Sequence, residues 1–405
     1  MFTDTGFWDT FRSLFPLLNL LYPSINNKIQ QGLANAYRES GFLPEWASPG
    51  HRDCMVGNNS ASVIADAIIN GVTTEDKDIL WQAVTHGANA VHPRVNSTGR
   101  LGWEYYNSLG YIPCDVGINE SAARTLEYAY DDWCIAQYAL AEAGRKGSRV
   151  ADTTLSLDSV SGYYGMIAKE YMRRAQSWMN VIDAQGFMHA RRNGGFITPF
   201  DPTEVNNHYT EANSWQYSSY VPHDVPAWIE MMGGKAKAEA FLDSLFNTSS
   251  KTSGRDQSDI TGMIGQYAHG NEPSHHAAYL YAFLGAPDKL DATVHQVLEE
   301  LYAPTPDGLC GNEDCGQMSA WYVFSALGFY PFDPCGGEYV VGAPQVAGAT
   351  VALPGGRTLR IEVRNFAKEN TCVESVSLNG KPVTDFKLRH ADLMKGGTLT
   401  YVMRR

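Results

Sequence analysis

Apolar residues return at helical spacing along this chain in two alternating kinds of segment, and the contrast between the two predicts its architecture. In "GNEDCGQMSAWYVFSALGFYPF", from residue 311, Met318, Ala320, Trp321, Val323, Phe324, Ala326 and Leu327 cover nearly the whole circumference of a helix, the mark of burial on all sides. Gly328 supplies its stop, with Pro331 beyond. The same grammar, a polar Gly- or Asn-rich entry followed by an aromatic-rich helix, recurs at 8–21, 57–71, 120–144, 209–234 and 270–285. Between these lie helices charged on one side, at 26–39, 75–91, about 154–180, 234–246 and 288–303, faces expected to meet solvent.

Six inner and five outer helices in alternation predict an (α/α)6 barrel with one outer helix missing before residue 1, so the chain is expected to begin inside a fold. From about residue 338 the period changes to that of strands, in "EYVVGA", "ATVALPGGRTLRIEV", "VESVSLNGKPV" and "TLTYVM", with Pro-Gly-Gly and Asn-Gly turns. So little sheet needs something to pack on. The expected fold class is mainly α: an (α/α)6 barrel over 1–335 and a small C-terminal β unit over 336–405, docked on the barrel or on a β domain outside this chain.

Composition removes several function classes. The chain has 405 residues, 44% hydrophobic and 19% charged, as befits a globular protein. A formal charge of −13 gives no electrostatic incentive to bind nucleic acid or an anionic membrane surface. No run approaches the roughly 20 apolar residues of a membrane helix, so no membrane insertion is expected. The N-terminal "MFTDTGFWDTFR" lacks the basic and apolar regions of a signal peptide, which fits a cytosolic, processed or truncated chain. Seven cysteines form no CxxC pair and read as buried free thiols.

Chemistry collects at the helix entries. Glu211 in "HYTEANSWQY", Glu272 in "HGNEPSHH" and Glu313 with Asp314 in "GNEDCGQ" all stand there. One such acid is explained by helix capping and the helix dipole. Three acidic entries together, among Tyr209, Trp215, Tyr217, Tyr267 and Trp321, fit a sugar pocket, where flat apolar faces lie beside hydrogen-bonding groups. Two carboxyl groups across such a pocket suit glycosidic bond hydrolysis, one protonated to help the leaving oxygen depart and the other ionised. Glu211, among aromatic neighbours, is expected to be the protonated one, and Asp314, in a polar loop, the charged one. His269, His275 and His276 lack HExxH spacing and a nearby cysteine for zinc. Gln266, Asn271 and Glu272 supply the oxygen ligands that a hard ion such as calcium takes.

The segments "WDTFR", "PEWASPGHRDCMVGNNSAS", "ESAARTLEYAYDDW", "HYTEANSWQY", "VPHD", "DITGMIGQYAHGNEPSHH", "GNEDCGQMSAWYVFSALGFYP" and "LNGKPV…HADLMKGGTL" resemble, in order, glycoside hydrolase family 92, the calcium-dependent inverting exo-α-mannosidases. The resemblance implies Glu211 as general acid and Asp314 as general base. Many members carry an acid where this chain has Asn312, which leaves the base to Asp314 or Glu313. Ala212 replaces the more usual glycine beside the acid. Trp215, Asn312, His275 and Trp321 are the candidate contacts to a mannose-containing glycan. Calcium in the family holds the mannose O2 and O3, and Glu272, Asn271 and Gln266 are the candidate ligands here. The resemblance also implies a secreted or periplasmic location and an N-terminal β-sandwich domain that this chain lacks. Members that cleave α-1,2 bonds show a His-Glu pair where this chain has Arg255-Asp256, which favours another linkage.

Two other functions compete with this one. A polysaccharide lyase on the same barrel would need a uronate substrate and a basic cleft. A glycan-binding fragment without activity would follow if the pocket needs the absent sandwich.

Overall fold

The computed structural model describes residues 3–72, 75–147 and 162–405. Helices cover Phe7–Thr10 (α1), Leu14–Leu21 (α2), Pro23–Ser40 (α3), Ser60–Ile69 (α4), Lys77–Gly87 (α5), Trp103–Leu109 (α6), Ser121–Gly147 (α7) and Gly162–Arg174 (α8). They continue with Ser214–Tyr217 (α9), Val225–Met231 (α10), Lys235–Asn247 (α11), Leu280–Leu284 (α12), Pro287–Glu300 (α13), Gln317–Leu327 (α14) and His390–Leu393 (α15). Every predicted helical segment contains a helix, although the stretch expected from about 154 to 161 lies outside the described residues. Three inner segments are broken, the one over 8–21 dividing into α1 and α2 at residues 11–13. The one over 209–234 splits where Pro222 and Pro226 deny backbone donors, and the one over 270–285 opens with 3₁₀ turns at Glu272–Ser274 and Ala277–Tyr279. Helix α6 was not foreseen, because its seven residues carry too few apolar positions to show a period.

The chain divides into two compact units. The first comprises Met1–Phe11, Ser24–His223 and Thr252–Asp256. Its axis is α7, buried on nearly every face from Ser121 to Ala136, so that its acids must be satisfied inside the protein. Asp132 takes Arg100 Nη1 at 2.6 Å, Arg174 Nε at 3.0 Å and the Tyr106 hydroxyl at 3.0 Å. Asp131 accepts from the Asn58 backbone N–H at 2.7 Å and Asn59 Nδ2 at 3.2 Å. Glu127 accepts from Trp8 Nε1 and the Tyr220 hydroxyl. A buried ionic network of this kind adds little net stability, but removing one member strands a charge.

The second unit comprises Arg12–Pro23, Asp224–Lys251 and Gln257–Arg405. It holds the C-terminal strands Phe329–Tyr330 (β1), Glu338–Val341 (β2), Gly348–Leu353 (β3), Arg357–Arg364 (β4), Cys372–Leu378 (β5), Lys381–Pro382 (β6), Lys387–Arg389 (β7) and Gly397–Arg404 (β8). They form a sheet of order β3-β4-β8-β5-β6, parallel only between β4 and β8, and a second of order β1-β2-β7. Alternation along β8 buries Leu399, Tyr401 and Met403. These strands dock on helices of their own unit. The Tyr401 hydroxyl donates to Gly328 O at 2.8 Å, beyond the end of α14, and the Val373 N–H donates to Asp291 on α13 at 2.8 Å. Compactness therefore divides the chain elsewhere than residue 335, which marks a change of element type. None of the seven cysteines forms a disulfide, and only Cys134 and Cys335 are buried; the other five are half-buried, because they fall on loops and strand ends.

Candidate active site

In the first unit Glu211 stands two residues before the cap of α9. Asn213 accepts from the Gln216 backbone N–H, and Gln216 Oε1 accepts from the Asn213 N–H at 2.8 Å, a reciprocal capping box. The Ser214 and Tyr209 hydroxyls both donate to Met188 O, at 2.7 and 2.6 Å. These bonds fix the turn that holds Glu211 at φ +50°, a left-handed conformation that few residues other than glycine adopt. The Glu211 side chain is half-buried and its charge is felt by the Cys54 thiol. Tyr209 and Tyr217 are core residues, stacked with ring centroids 6.0 Å apart. Trp215 is half-buried and meets Phe187 edge-on at 4.8 Å.

In the second unit Asp314 has φ +55°, and Cys315 and Gly316 after it are also left-handed. The loop so formed lets Glu313 fold back on the start of α14. Its carboxylate accepts from the Gly316 N–H, the Ser319 N–H at 3.2 Å and the Ser319 hydroxyl at 2.8 Å. Glu313, the alternative base of the sequence reading, is thus bound to the N-terminus of α14. Asp314 lies within hydrogen-bonding reach of Glu272, whose side chain is buried. Its pKa is raised, chiefly by desolvation and further by the charges of Asp259 and Glu313. Asp314, expected to stay charged in a polar loop, is half-buried there.

Asn312 is exposed, and its Nδ2 donates to Asp259 Oδ1 at 3.0 Å. Gln257 Nε2 and the Ser258 hydroxyl donate to the other Asp259 oxygen, at 2.6 and 3.2 Å. Asp259 was not foreseen, because the sequence separation between "DITG" and "GNED" hides the bond.

His275 and Trp321 were expected to touch substrate, and the structure places both in the core. His275 Nε2 donates to His269 O at 2.9 Å, while Nδ1 accepts from Gln317 Nε2 at 3.0 Å. Burial lowers the pKa of this ring to about 3, so it is neutral. Trp321 has no exposed surface and donates from Nε1 to His275 O at 3.0 Å. Gln317 also accepts the Ser13 N–H at 2.9 Å and so ties α14 to the start of α2. A second histidine of this cluster, His269, is held between the Tyr267 and Tyr302 hydroxyls at 2.6 and 2.7 Å.

Of the three candidate calcium ligands, Glu272 has the chemistry of a ligand: a buried carboxyl beside a second carboxyl, a pair that needs a shared proton or a cation. The Asn271 side-chain oxygen caps its own turn on the Glu272 N–H at 3.0 Å. Gln266 Nε2 donates to Ser249 O and Lys251 O, at 2.7 and 3.1 Å, which makes it a tether for that loop.

The chain belongs to glycosyl hydrolase family 92: the profile of the family's catalytic domain matches residues 1–405. It is similar in structure to the family 92 inverting mannosidase of Bacteroides thetaiotaomicron, at 40% identity and a TM-score of 0.86, over 100% of this chain and 53% of that one. A second similar structure is a family 92 α-mannosidase of the same organism in complex with mannoimidazole. There the identity is 33% and the TM-score 0.85, over 98% of this chain and 50% of that one. An uncharacterized secreted glycosidase of Arthroderma benhamiae is 28% identical in an alignment 404 residues long that covers 91% of this chain and 47% of that protein. The chain therefore spans about half the length of the proteins it matches. Its fold class is mainly α, that of the (α/α)6 barrel enzymes with a small C-terminal β unit, as the alternation of helices predicts. No described helix is long and apolar enough to cross a membrane.

Proposed function

We propose that this chain carries the catalytic groups of an exo-acting, inverting α-mannosidase that releases mannose from mannose-containing glycans. The observation that carries the reading is the 40% identity, over the whole chain, to a protein described as an inverting mannosidase. Glu211 gives its proton to the leaving oxygen, and Asp314 takes a proton from the attacking water on the opposite face of the sugar.

Glu272 with Asp314 would hold a calcium ion, which supplies charge compensation for the two acids and binding for sugar hydroxyls. Asn271 and Gln266 serve this site through the turns they fix. The full-length protein is secreted or periplasmic and carries a further domain before this chain. Arg255, which donates to Asn207 Oδ1 at 3.0 Å, stands where α-1,2-cleaving members have histidine, which supports another linkage.

The test is proton NMR of the anomeric signals during the first minutes of reaction with an aryl α-mannoside. Inversion gives β-mannose first. α-Mannose as first product refutes the acid and base roles, and absence of mannose release refutes the hydrolase.

A further inference from the structure

In the first unit one buried peptide carries the turn of Glu211. The Met188 carbonyl accepts two hydroxyls, that of Tyr209, two residues before Glu211, at 2.6 Å and that of Ser214, three residues after it, at 2.7 Å. The Met188 N–H donates to the Ser218 hydroxyl at 2.8 Å, and that hydroxyl donates on to Ser214 O at 2.6 Å. Met188 has no exposed surface. The left-handed backbone at Glu211, φ +50°, therefore spans two anchors that meet on a single carbonyl. A shift of that carbonyl moves both ends of the turn, and strained backbone keeps its conformation only while its surroundings fix it.

Met188 is fixed in turn by the segment before it. Asp183 Oδ1 accepts from the Gln185 N–H at 2.8 Å and the Phe187 N–H at 3.0 Å, and the Asp183 N–H donates to Phe187 O at 2.9 Å. This is an aspartate turn closed by side chain and backbone together. Beyond it Ile182 pairs with Met188, and the His189 N–H donates to Val181 O at 2.6 Å. The other Asp183 oxygen, Oδ2, lies 3.5 Å from His189 Nδ1. That ring is buried and stacked on Phe196 and Phe200, with centroids 5.0 and 3.8 Å away. Burial raises the Asp183 pKa, but His189 and the two N–H groups outweigh it and leave the carboxyl below its ordinary value. One ionised carboxylate thus reaches the residue before Met188 and the residue after it.

We infer that Asp183 is a positioning residue for the general acid: it sets the Met188 carbonyl, and through that carbonyl the direction in which the Glu211 carboxyl points. The inference rests on the mannosidase reading of Glu211, and its test separates the two. Help from a general acid matters most where the leaving group is poor, so a misaimed Glu211 is felt on poor leaving groups and barely on good ones. A fold weakened in general lowers turnover of every substrate by one factor. The variants Asp183→Ala, Asp183→Asn and Tyr209→Phe are compared with the unaltered chain on 2,4-dinitrophenyl and 4-methoxyphenyl α-mannoside, which carry a good and a poor leaving group. Amide hydrogen exchange is followed over residues 209–214 in the same proteins. Asp183→Ala is expected to raise the ratio of kcat/KM on the first substrate to kcat/KM on the second by about tenfold or more, and to speed the exchange. Asp183→Asn keeps an acceptor oxygen for the turn and is expected to bring both quantities back to within about twofold of the unaltered chain. Tyr209→Phe removes one of the two hydroxyls from Met188 O and keeps the ring, so it is expected to act in the same direction even should Asp183→Ala fail to fold. Equal loss on both substrates, an unaltered ratio, or an asparagine variant as impaired as the alanine one overturns the positioning role and leaves the hydrolase reading in place. If the unaltered chain cleaves neither mannoside, the hydrolase reading falls; faster exchange over 209–214 in Asp183→Ala then upholds the link from Asp183 to the Glu211 turn, and unaltered exchange overturns it.

Discussion

Replacing Glu313 by alanine is expected to destabilise the chain and to disturb catalysis only through Asp314. The side chain holds two backbone donors at the start of α14 and the Ser319 hydroxyl. Loss of a capping side chain costs ~0.5–2 kcal/mol, and loss of a negative charge at a helix N-terminus costs a further ~0.3–1 kcal/mol. Glu313 is half-buried, which keeps the sum near 2 kcal/mol. With an unfolding entropy of about 2.1 cal/mol/K per residue, that lowers Tm by roughly 2–5 °C, the larger figure applying if the second unit unfolds by itself. The loop at 314–316 then loses its tether, and an Asp314 displaced by even 1 Å costs about 10²-fold in kcat. Glu313→Gln keeps one acceptor oxygen and is expected to recover most of both quantities. The assay pairs thermal unfolding with kcat on an aryl mannoside for the two variants. A Glu313→Gln protein with unchanged Tm and a kcat lowered by about 10³ or more would show that Glu313 does chemistry and that the capping argument is wrong.

Three other outcomes follow from the site and the core. Glu211→Gln is expected to abolish turnover of mannobiosides while partly sparing aryl mannosides with good leaving groups, because only the former need a proton; equal loss on both counts against the acid role. Calcium is expected to raise Tm as well as activity, since a ligand of the folded state stabilises it, and Glu272→Gln is expected to erase the calcium-dependent Tm shift; full activity in excess chelator rejects the ion. Burial raises the pKa of Glu45 from 4.5 to about 7, so the folded state binds its proton more tightly than the unfolded state does. Its contribution to stability is greatest below about 4.5 and is lost as pH rises to about 7. Relative to the unaltered chain, Glu45→Gln is expected to gain up to about 3 kcal/mol between those pH values, as measured by urea unfolding across pH; a constant difference refutes the shift.

The helices were legible because apolar period and punctuation by glycine agree with burial. Along α14, the positions read from the sequence as all-round apolar include Met318, Ala320, Trp321 and Phe324, each buried to within 1%. The roles of single polar residues were less legible. Glu313 reaches a serine six residues ahead only because three consecutive left-handed residues turn the chain back, and nothing in the local spelling requires that turn. His275 sits in a run of polar residues like those of a pocket, yet its carbonyl and both ring nitrogens are consumed by a core network whose other members come from His269, Gln317 and Trp321. Pairings across such separations carry no local signature. Aromatic residues misled for a related reason: Trp215 and Trp321 read alike in sequence, and only packing makes one half-buried and the other wholly buried.

Both candidate catalytic carboxyls stand on backbone that is unfavourable for the residue carrying them. A non-glycine residue in the left-handed region costs about 1–2 kcal/mol, and here it occurs at Glu211, at Asp314 and again at Cys315. Such a conformation persists only where the surroundings fix it. Each carboxyl has a dedicated device, the Asn213–Gln216 capping box behind Glu211 and the Glu313 tether around Asp314. Glycine at either position would relieve the strain but carries no carboxyl, so the acid and the strain come together. If these acids served only the helix dipole, an N-cap with ordinary extended backbone would suffice, as Asn213 and Asn271 show at φ −122° and −139°. Capping is therefore delegated to neighbours, Asn213 in one case and Glu313 in the other, which leaves Glu211 and Asp314 to be aimed by the turn itself. A free energy of several kcal/mol held at these two turns is of the size that orienting a reacting group can return in rate, which supports proposing the chemistry at Glu211 and Asp314 and not at the acids beside them.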